Sequence, residues 1–352
     1  MDIIIFFLSF GVILAGCELF TNGVEWTGKR FNLSEGAVGS VLAAVGTAMP
    51  ETLVPLIAIV VLGGEAGQEI GVGAILGAPF MLATLALFIC GLSVFLFARR
   101  RNTRTLHVNG RLIKRDLRFF LLAYSLAAAA ALLPPSLGLF KTALGFLLIP
   151  LYIVYTIYTL RTGETGGGSD LKDLYFNRVV RRCLPGRALD KDCPAPREPA
   201  TIIILVQVAA SLGAIILGAN LFVSQINEIA AFIGVNPLIL SLIISPIATE
   251  LPEKFNSMLW IRERKDTFAI GNITGAMVFQ SCIPVTIGIL LTGWHLNVAD
   301  KVQFLEAVTI GIALFSAIIL YWRSSHRELK ISGLMLGGAL YVLFFVLALL
   351  SI

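Results

Sequence analysis

Long apolar stretches alternate with short polar connections along nearly the whole of this 352-residue chain. Each stretch is long enough for a helix to cross a ~30 Å hydrocarbon core. The pattern predicts ten spanning helices, at about 3–24, 36–62, 69–98, 118–134, 137–160, 200–225, 236–261, 267–292, 302–322 and 331–351. The expected fold class is therefore an all-α membrane protein. The first stretch follows Met1-Asp2-Ile3, with no positive leader and no small-residue cleavage site. It reads as a retained helix rather than a signal peptide.

Composition agrees with this reading. The chain is 57% hydrophobic and only 14% charged, whereas soluble domains carry roughly 25% charged residues. The net charge of +5 is not a nucleic-acid signal. Its cations sit in alternate connections: Lys29 and Arg30 after the first span, Arg99 to Arg118 after the third, and Arg161 to Arg197 after the fifth. Arg262 to Lys265 follow the seventh span and Arg323 to Lys330 the ninth. The other connections hold almost none, with Lys301 the clear exception. Such alternation predicts both termini outside and the polar stretch 161–199 in the cytoplasm. Of the five cysteines, Cys17, Cys90 and Cys282 lie in apolar segments and read as small hydrophobes. Cys183 and Cys193 lie in the linker without a CxxC pattern. The three histidines fall in connections or at span ends and read as solvated.

The chain repeats itself. Residues 16–51 align without a gap on 218–253. Gly16, Leu19, Phe20, Thr47, Pro50 and Glu51 match Gly218, Leu221, Phe222, Thr249, Pro252 and Glu253. A second block pairs Gly73 to Ala78 with Gly271 to Ala276. Five spans separate the copies, so the second enters the membrane from the opposite side. The expected organisation is a first five-helix repeat at 1–160, a cytoplasmic linker at 161–199, and a second, inverted five-helix repeat at 200–352. Inverted repeats of this kind place a substrate site near the midplane of many transporters.

The repeat carries chemistry. Glu51 and Glu253 each lie near the middle of a span, where an acidic residue costs on the order of 2.5–3.5 kcal/mol. Proline lacks the amide hydrogen that a helix needs. Pro50 and Pro252 should therefore free carbonyls near Gly46 and Ala248. Thr47 and Thr249 stand four residues before the glutamates, on the same helix faces. Each half thus offers a carboxylate, a hydroxyl and a carbonyl, a hard-oxygen set suited to Ca²⁺ or Na⁺. Glu250 is a further acid in the second copy, and three carboxylates together call for a cation or a proton. Asn272 and Gln280 lie on one face of the eighth span, whereas the equivalent residues of the third, Ala74 and Leu82, are apolar. Gly73, Gly77, Gly271 and Gly275 read as close-packing positions. Glu18 reads as a paired or snorkelling residue near a helix end. The competing structural reading is that the glutamates sit in packed, kinked helices and are satisfied by internal hydrogen bonds.

These motifs resemble the cation/calcium exchanger superfamily, especially the prokaryotic sodium/calcium exchangers. Gly46-Thr47-Ala48-Met49-Pro50-Glu51 and Ala248-Thr249-Glu250-Leu251-Pro252-Glu253 look like that family's G-T-S-L-P-E motif. Gly271-Asn272-Ile273-Thr274-Gly275 looks like its second motif. The resemblance implies a secondary antiporter with no cofactor and no enzymatic activity. It also implies Glu51 and Glu253 as central Ca²⁺ ligands, flanked by Thr47 and Thr249. The partners expected are the transported cations, with Na⁺ or H⁺ as counter-ion, and the lipid bilayer. A monomer is compatible with the sequence. Several family ligand positions differ: Ala48, Ala78, Leu82, Glu250, Ala276 and Gln280 stand where hydroxyl or amide ligands are usual. These departures leave the standard three-Na⁺ stoichiometry, and Na⁺ coupling itself, open, and proton coupling through Glu250 and Glu253 is a variant. A membrane protein that kept this fold but lost transport is the alternative.

Overall fold

The computed structural model describes residues 3–30, 49–161, 173–177, 199–324 and 328–351. The described chain is nearly all helical. In order it forms α1 (Ile3–Arg30), α2 (Met49–Ile57), α3 (Gly64–Met81), α4 (Leu87–Leu96), the short α5 (Ala98–Arg101), α6 (Gly110–Leu132) and α7 (Gly138–Arg161). After the linker come α8 (Thr201–Ile233), α9 (Pro237–Thr249), α10 (Leu251–Arg262), α11 (Asp266–Leu291), α12 (Lys301–Arg323) and α13 (Ile331–Ser351). Wide π-turns at Ala58–Leu62 and Leu82–Ala86 extend α2 and join α3 to α4. Among the described residues, seven helices are long and apolar enough to cross a membrane. Two shorter apolar helices, Met49–Leu62 and Pro237–Ile247, accompany them.

Burial separates the centre from the rim. The apolar window of α11 is 72% buried, against 17% for the window spanning α7 and 22% for α13. Large apolar side chains such as Phe7, Phe146, Ile153 and Phe345 are exposed on the rim. These are lipid-facing positions, because only hydrocarbon tolerates such a continuous apolar surface.

The packing of α1 on α8 is antiparallel and reciprocal. A Cβ added at Gly16 would meet Ile215 Cγ1 at 2.8 Å and one at Gly218 would meet Ile13 Cγ1 at 2.9 Å. Ile13 and Ile215 stand at the same offset that aligns Gly16 with Gly218. Ser9 and Ser211 are related in the same way: each hydroxyl donates to the carbonyl three residues back, Phe6 at 2.7 Å and Val208 at 2.9 Å. Contacts in which i meets j and the equivalent of i meets the equivalent of j are the mark of a two-fold relation. Overpacking a close helix contact costs about 1–3 kcal/mol. Gly16→Ala and Gly218→Ala should therefore lower the thermal unfolding midpoint in detergent by similar amounts. Ile215→Ala should rescue the first and not the second; rescue of both alike would refute the reciprocal contact.

The second glycine blocks behave unequally. Added Cβ atoms at Gly73 and Gly77 would lie 2.5 Å from the Leu238 carbonyl oxygen and 2.3 Å from that of Leu242, so these glycines seat α3 directly on α9. At Gly271 and Gly275 the nearest atoms, on Leu112 and Tyr155, are 3.2 and 3.5 Å away. Close packing holds in the first half and is looser in the second.

Several helix boundaries differ from the sequence expectation. The helix expected at 118 begins at Gly110, because the Asn109 side chain caps it by accepting from Arg111 N at 3.1 Å and Leu112 N at 3.4 Å. The helix expected at 69 begins at Gly64. A short two-stranded antiparallel sheet, β1 (Thr105–His107) with β2 (Glu328–Lys330), accompanies the nearly all-helical fold. Leu106 and Leu329 face each other across it, and both are buried. The polar connections after the expected third and ninth spans thus close one end of the bundle together. Residues 36–48 of the expected second span lie outside the described residues.

Within the expected linker, residues 173–177 lie against α1 and α8. Leu174 is buried with Trp26 and Ile204. The amides of Tyr175 and Phe176 donate to Asn22 Oδ1 at 3.2 Å and Gln207 Oε1 at 2.8 Å. Glu18 is exposed and accepts from the Tyr175 hydroxyl at 2.5 Å, which fits the paired reading. Cys183 and Cys193 lie outside the described residues.

Candidate functional site

The site forms where α2, α9, α10 and α11 meet. Pro50 and Glu51 stand at the start of the described part of α2. Glu51 is 4% exposed, and both its carboxylate oxygens lack a hydrogen-bond partner among the described residues. It interacts electrostatically with Glu253, Glu250 and Lys254. Cys17 of α1 feels both Glu51 and Glu253, so α1 lines the same region.

The second copy of the motif breaks its helix. Glu250 has φ −93° and ψ 9°, and it separates α9 from α10. Pro252 lacks the amide that would continue the ladder at the Ala248 carbonyl. The carbonyl that recruits a cationic group is instead that of Pro246. It accepts from Glu250 N at 3.2 Å and from Lys254 Nζ at 3.2 Å. Thr249, Glu250 and Glu253 are all buried, at 3%, 0% and 3% exposure.

Helix α11 supplies the amides. Asn272 Nδ2 donates to the backbone carbonyl of Glu253 at 3.3 Å and to Ser257 Oγ at 3.4 Å. It therefore fixes the backbone that carries the carboxylate. Gln280 Nε2 reaches Glu250 Oε1 at 3.5 Å, while its buried Oε1 has no partner among the described residues. Of the nine expected ligand positions, Glu51, Glu250, Glu253 and Gln280 are brought together here, Asn272 holds the backbone of Glu253, and Thr249, buried, and the backbone of Ala248 precede Glu250 in the chain. Gly46 and Thr47 lie outside the described residues. Among the described residues, no group of three or more acidic, histidine or cysteine side chains is pre-assembled tightly enough to hold a metal ion.

Sequence reasoning missed two charged groups. Lys254 is 5% exposed and lies 3.2 Å from Glu250 Oε2. An apolar span containing a lysine four residues after one glutamate and next to another was the available signal. Asp116 was read as part of a polar connection. It is 1% exposed in α6 and accepts from Arg115, from Tyr155 OH at 3.2 Å and from Thr274 Oγ1 at 2.8 Å. All its partners are internal, so it ties α6 and α7 to α11.

Comparison with known proteins shows the family and the fold. The sodium/calcium exchanger protein family matches residues 1–161 and 203–352. This chain belongs to the sodium/calcium exchanger family. Family and fold are those of secondary transporters, not enzymes, and the chain is an integral multi-pass membrane protein. The inner membrane protein YrbG of Escherichia coli is 21% identical over 314 residues, covering 89% of this chain and 86% of YrbG. The putative antiporter CaxA of Alkalimonas amylolytica is 24% identical, with 88% of each chain covered. Among solved structures, the H⁺/Ca²⁺ exchanger CAX superposes with a TM-score of 0.71 at 17% identity, over 99% of this chain and 81% of that one. The sodium-calcium exchanger NCX_Mj, soaked with Na⁺ and Sr²⁺, superposes with a TM-score of 0.57 at 20% identity, over 98% and 97%. At these identities the structural likeness establishes the fold alone.

Proposed function

We propose that this exchanger-family protein carries Ca²⁺, or a similar divalent cation, against Na⁺ or H⁺ by alternating access, through a site between Glu51 and Glu253. The observation that carries the reading is Glu51: a carboxylate buried in a membrane core with neither oxygen partnered among the described residues. Such a group is retained where it meets a cation. Thr249, Glu250, Asn272, Gln280 and the Ala248 carbonyl complete the second half of the site, and Gly46 and Thr47 the first. The exchangers CAX and NCX_Mj, named for H⁺/Ca²⁺ and sodium-calcium exchange, share the fold and support the substrate class.

The reciprocal contact of α1 with α8 supports two inverted five-helix repeats, 1–160 and 200–352, joined by the 161–199 linker. The distribution of Lys and Arg supports a cell-membrane protein with both termini outside. Purified protein in liposomes should take up labelled Ca²⁺ when a Na⁺ gradient or a pH gradient is imposed. Uptake under only one of them identifies the counter-ion. Absence of uptake under both, together with no thermal stabilisation by Ca²⁺, would defeat the antiporter reading in favour of a fold retained without transport.

A further inference from the structure

Lys254 has a counterpart in neither the first motif, where Thr52 follows Glu51, nor any lipid-facing role. Its ammonium lies 3.2 Å from Glu250 Oε2 and 3.2 Å from the Pro246 carbonyl oxygen. The contact with Oε2 is an ion pair without hydrogen-bond alignment, since Oε2 has no aligned donor among the described residues. A point charge held by a carboxylate and a backbone carbonyl is what a small monovalent cation would experience in the same place. Both are hard oxygens, the ligand type that such cations take. The ammonium also acts electrostatically on Glu51.

We propose that Lys254 is a tethered cation filling a monovalent-cation subsite made by Glu250 and Pro246, so that no free monovalent ion is carried there. Of the three buried carboxylates, Glu250 is then neutralised from within. Glu51 and Glu253 then supply two carboxylates to one divalent cation. This deepens the antiporter reading and rests on it for the identity of the divalent partner. It also accounts for an acid at position 250: a carboxylate rather than a neutral group is needed to hold an ammonium in the membrane core.

The test is chemical rescue. Lys254→Ala and Lys254→Met are prepared with choline as the sole monovalent cation, and then with Na⁺ or methylammonium. Thermal unfolding and Ca²⁺ uptake are measured for each. The expected result is a roughly tenfold loss of uptake in choline. Na⁺ or methylammonium should restore it, with a saturable rise in the unfolding midpoint that the wild-type protein lacks. In Glu250→Gln/Lys254→Met the cation dependence should vanish, because the subsite has lost its charge. Single variants whose stability ignores every monovalent cation would overturn the proposal. So would single variants that stay unfolded in all salts while the double variant folds, since the pair would then be an ordinary buried salt bridge. Failure of wild-type Ca²⁺ uptake speaks against the antiporter reading alone, because the monovalent rise in the midpoint is measured without Ca²⁺.

Discussion

Glu51→Gln is expected to abolish divalent-cation transport while leaving the protein at least as stable as before. The two halves of this expectation have one cause. The carboxylate is 4% exposed and neither oxygen is hydrogen-bonded among the described residues. A carboxylate without a hydrogen-bond donor in such a place destabilises the fold. An amide of the same shape removes that penalty and keeps the packing against α1 and α11. The same change removes one of two charges available to a divalent cation. Affinity should fall by about 100-fold, equivalent to ~2.8 kcal/mol. Ca²⁺-dependent thermal stabilisation and Ca²⁺ uptake in liposomes measure the loss, and the unfolding midpoint without Ca²⁺ measures the gain. Glu253→Gln should lose transport to a similar extent, because Asn272 bonds the backbone carbonyl of Glu253 and so leaves its placement intact. Wild-type uptake in Glu51→Gln, or a lower midpoint without Ca²⁺, would remove Glu51 from the site.

Much of this was legible in the sequence, and the reasons for success and failure are physical. The spans could be read because lipid imposes a length and an apolar composition on every helix that crosses it. The glutamates could be read because each stands in an apolar span and recurs with Thr and Pro at fixed spacing. Long-range pairing is what local pattern does not carry. Arg99 to Arg101 look alike in the sequence as topology signals. Only the fold turns Arg101 inward and leaves Arg99 and Arg100 exposed. Asp116 looks like one more charge in a basic connection until Thr274, 158 residues away, is placed against it. The π-turn at Leu82–Ala86 has the same origin. It is stabilised from outside, by the Ser316 hydroxyl donating to the Ala83 carbonyl. Lys254 was legible in principle, since its partner Glu250 is only one helical turn away. The three carboxylates suggested a missing cation or proton, and the chain itself supplies the cation.

Asp266→Asn is expected to give the largest loss of stability, of the opposite sign to Glu51→Gln. Arg101 and Asp266 are also buried charges, with side chains 0% and 2% exposed, but they are paired with each other. The guanidinium donates to both carboxylate oxygens at 2.7 Å. It also donates to the carbonyls of Ile261 and of Thr105. The carboxylate accepts a further bond from His107 N at 2.8 Å. One ion pair thus fastens α5, β1, the end of α10 and the start of α11. Removing either partner strands the other charge in a dry site, at a cost of about 3–5 kcal/mol. Arg101→Lys should recover little of this, because a single ammonium does not span both oxygens and two carbonyls. Arg101→Met/Asp266→Leu should recover most of it, since no charge is left unpaired. A double-mutant cycle on unfolding midpoints measures the coupling. A cost below ~1 kcal/mol for Asp266→Asn would mean that water reaches the pair. Buried charge therefore has two uses in this chain, separable by the sign of the stability change on neutralisation. Where the partner is built in, as at Arg101, neutralisation is expected to unfold; where the proposed partner is the cargo, as at Glu51, it is expected to stabilise and silence.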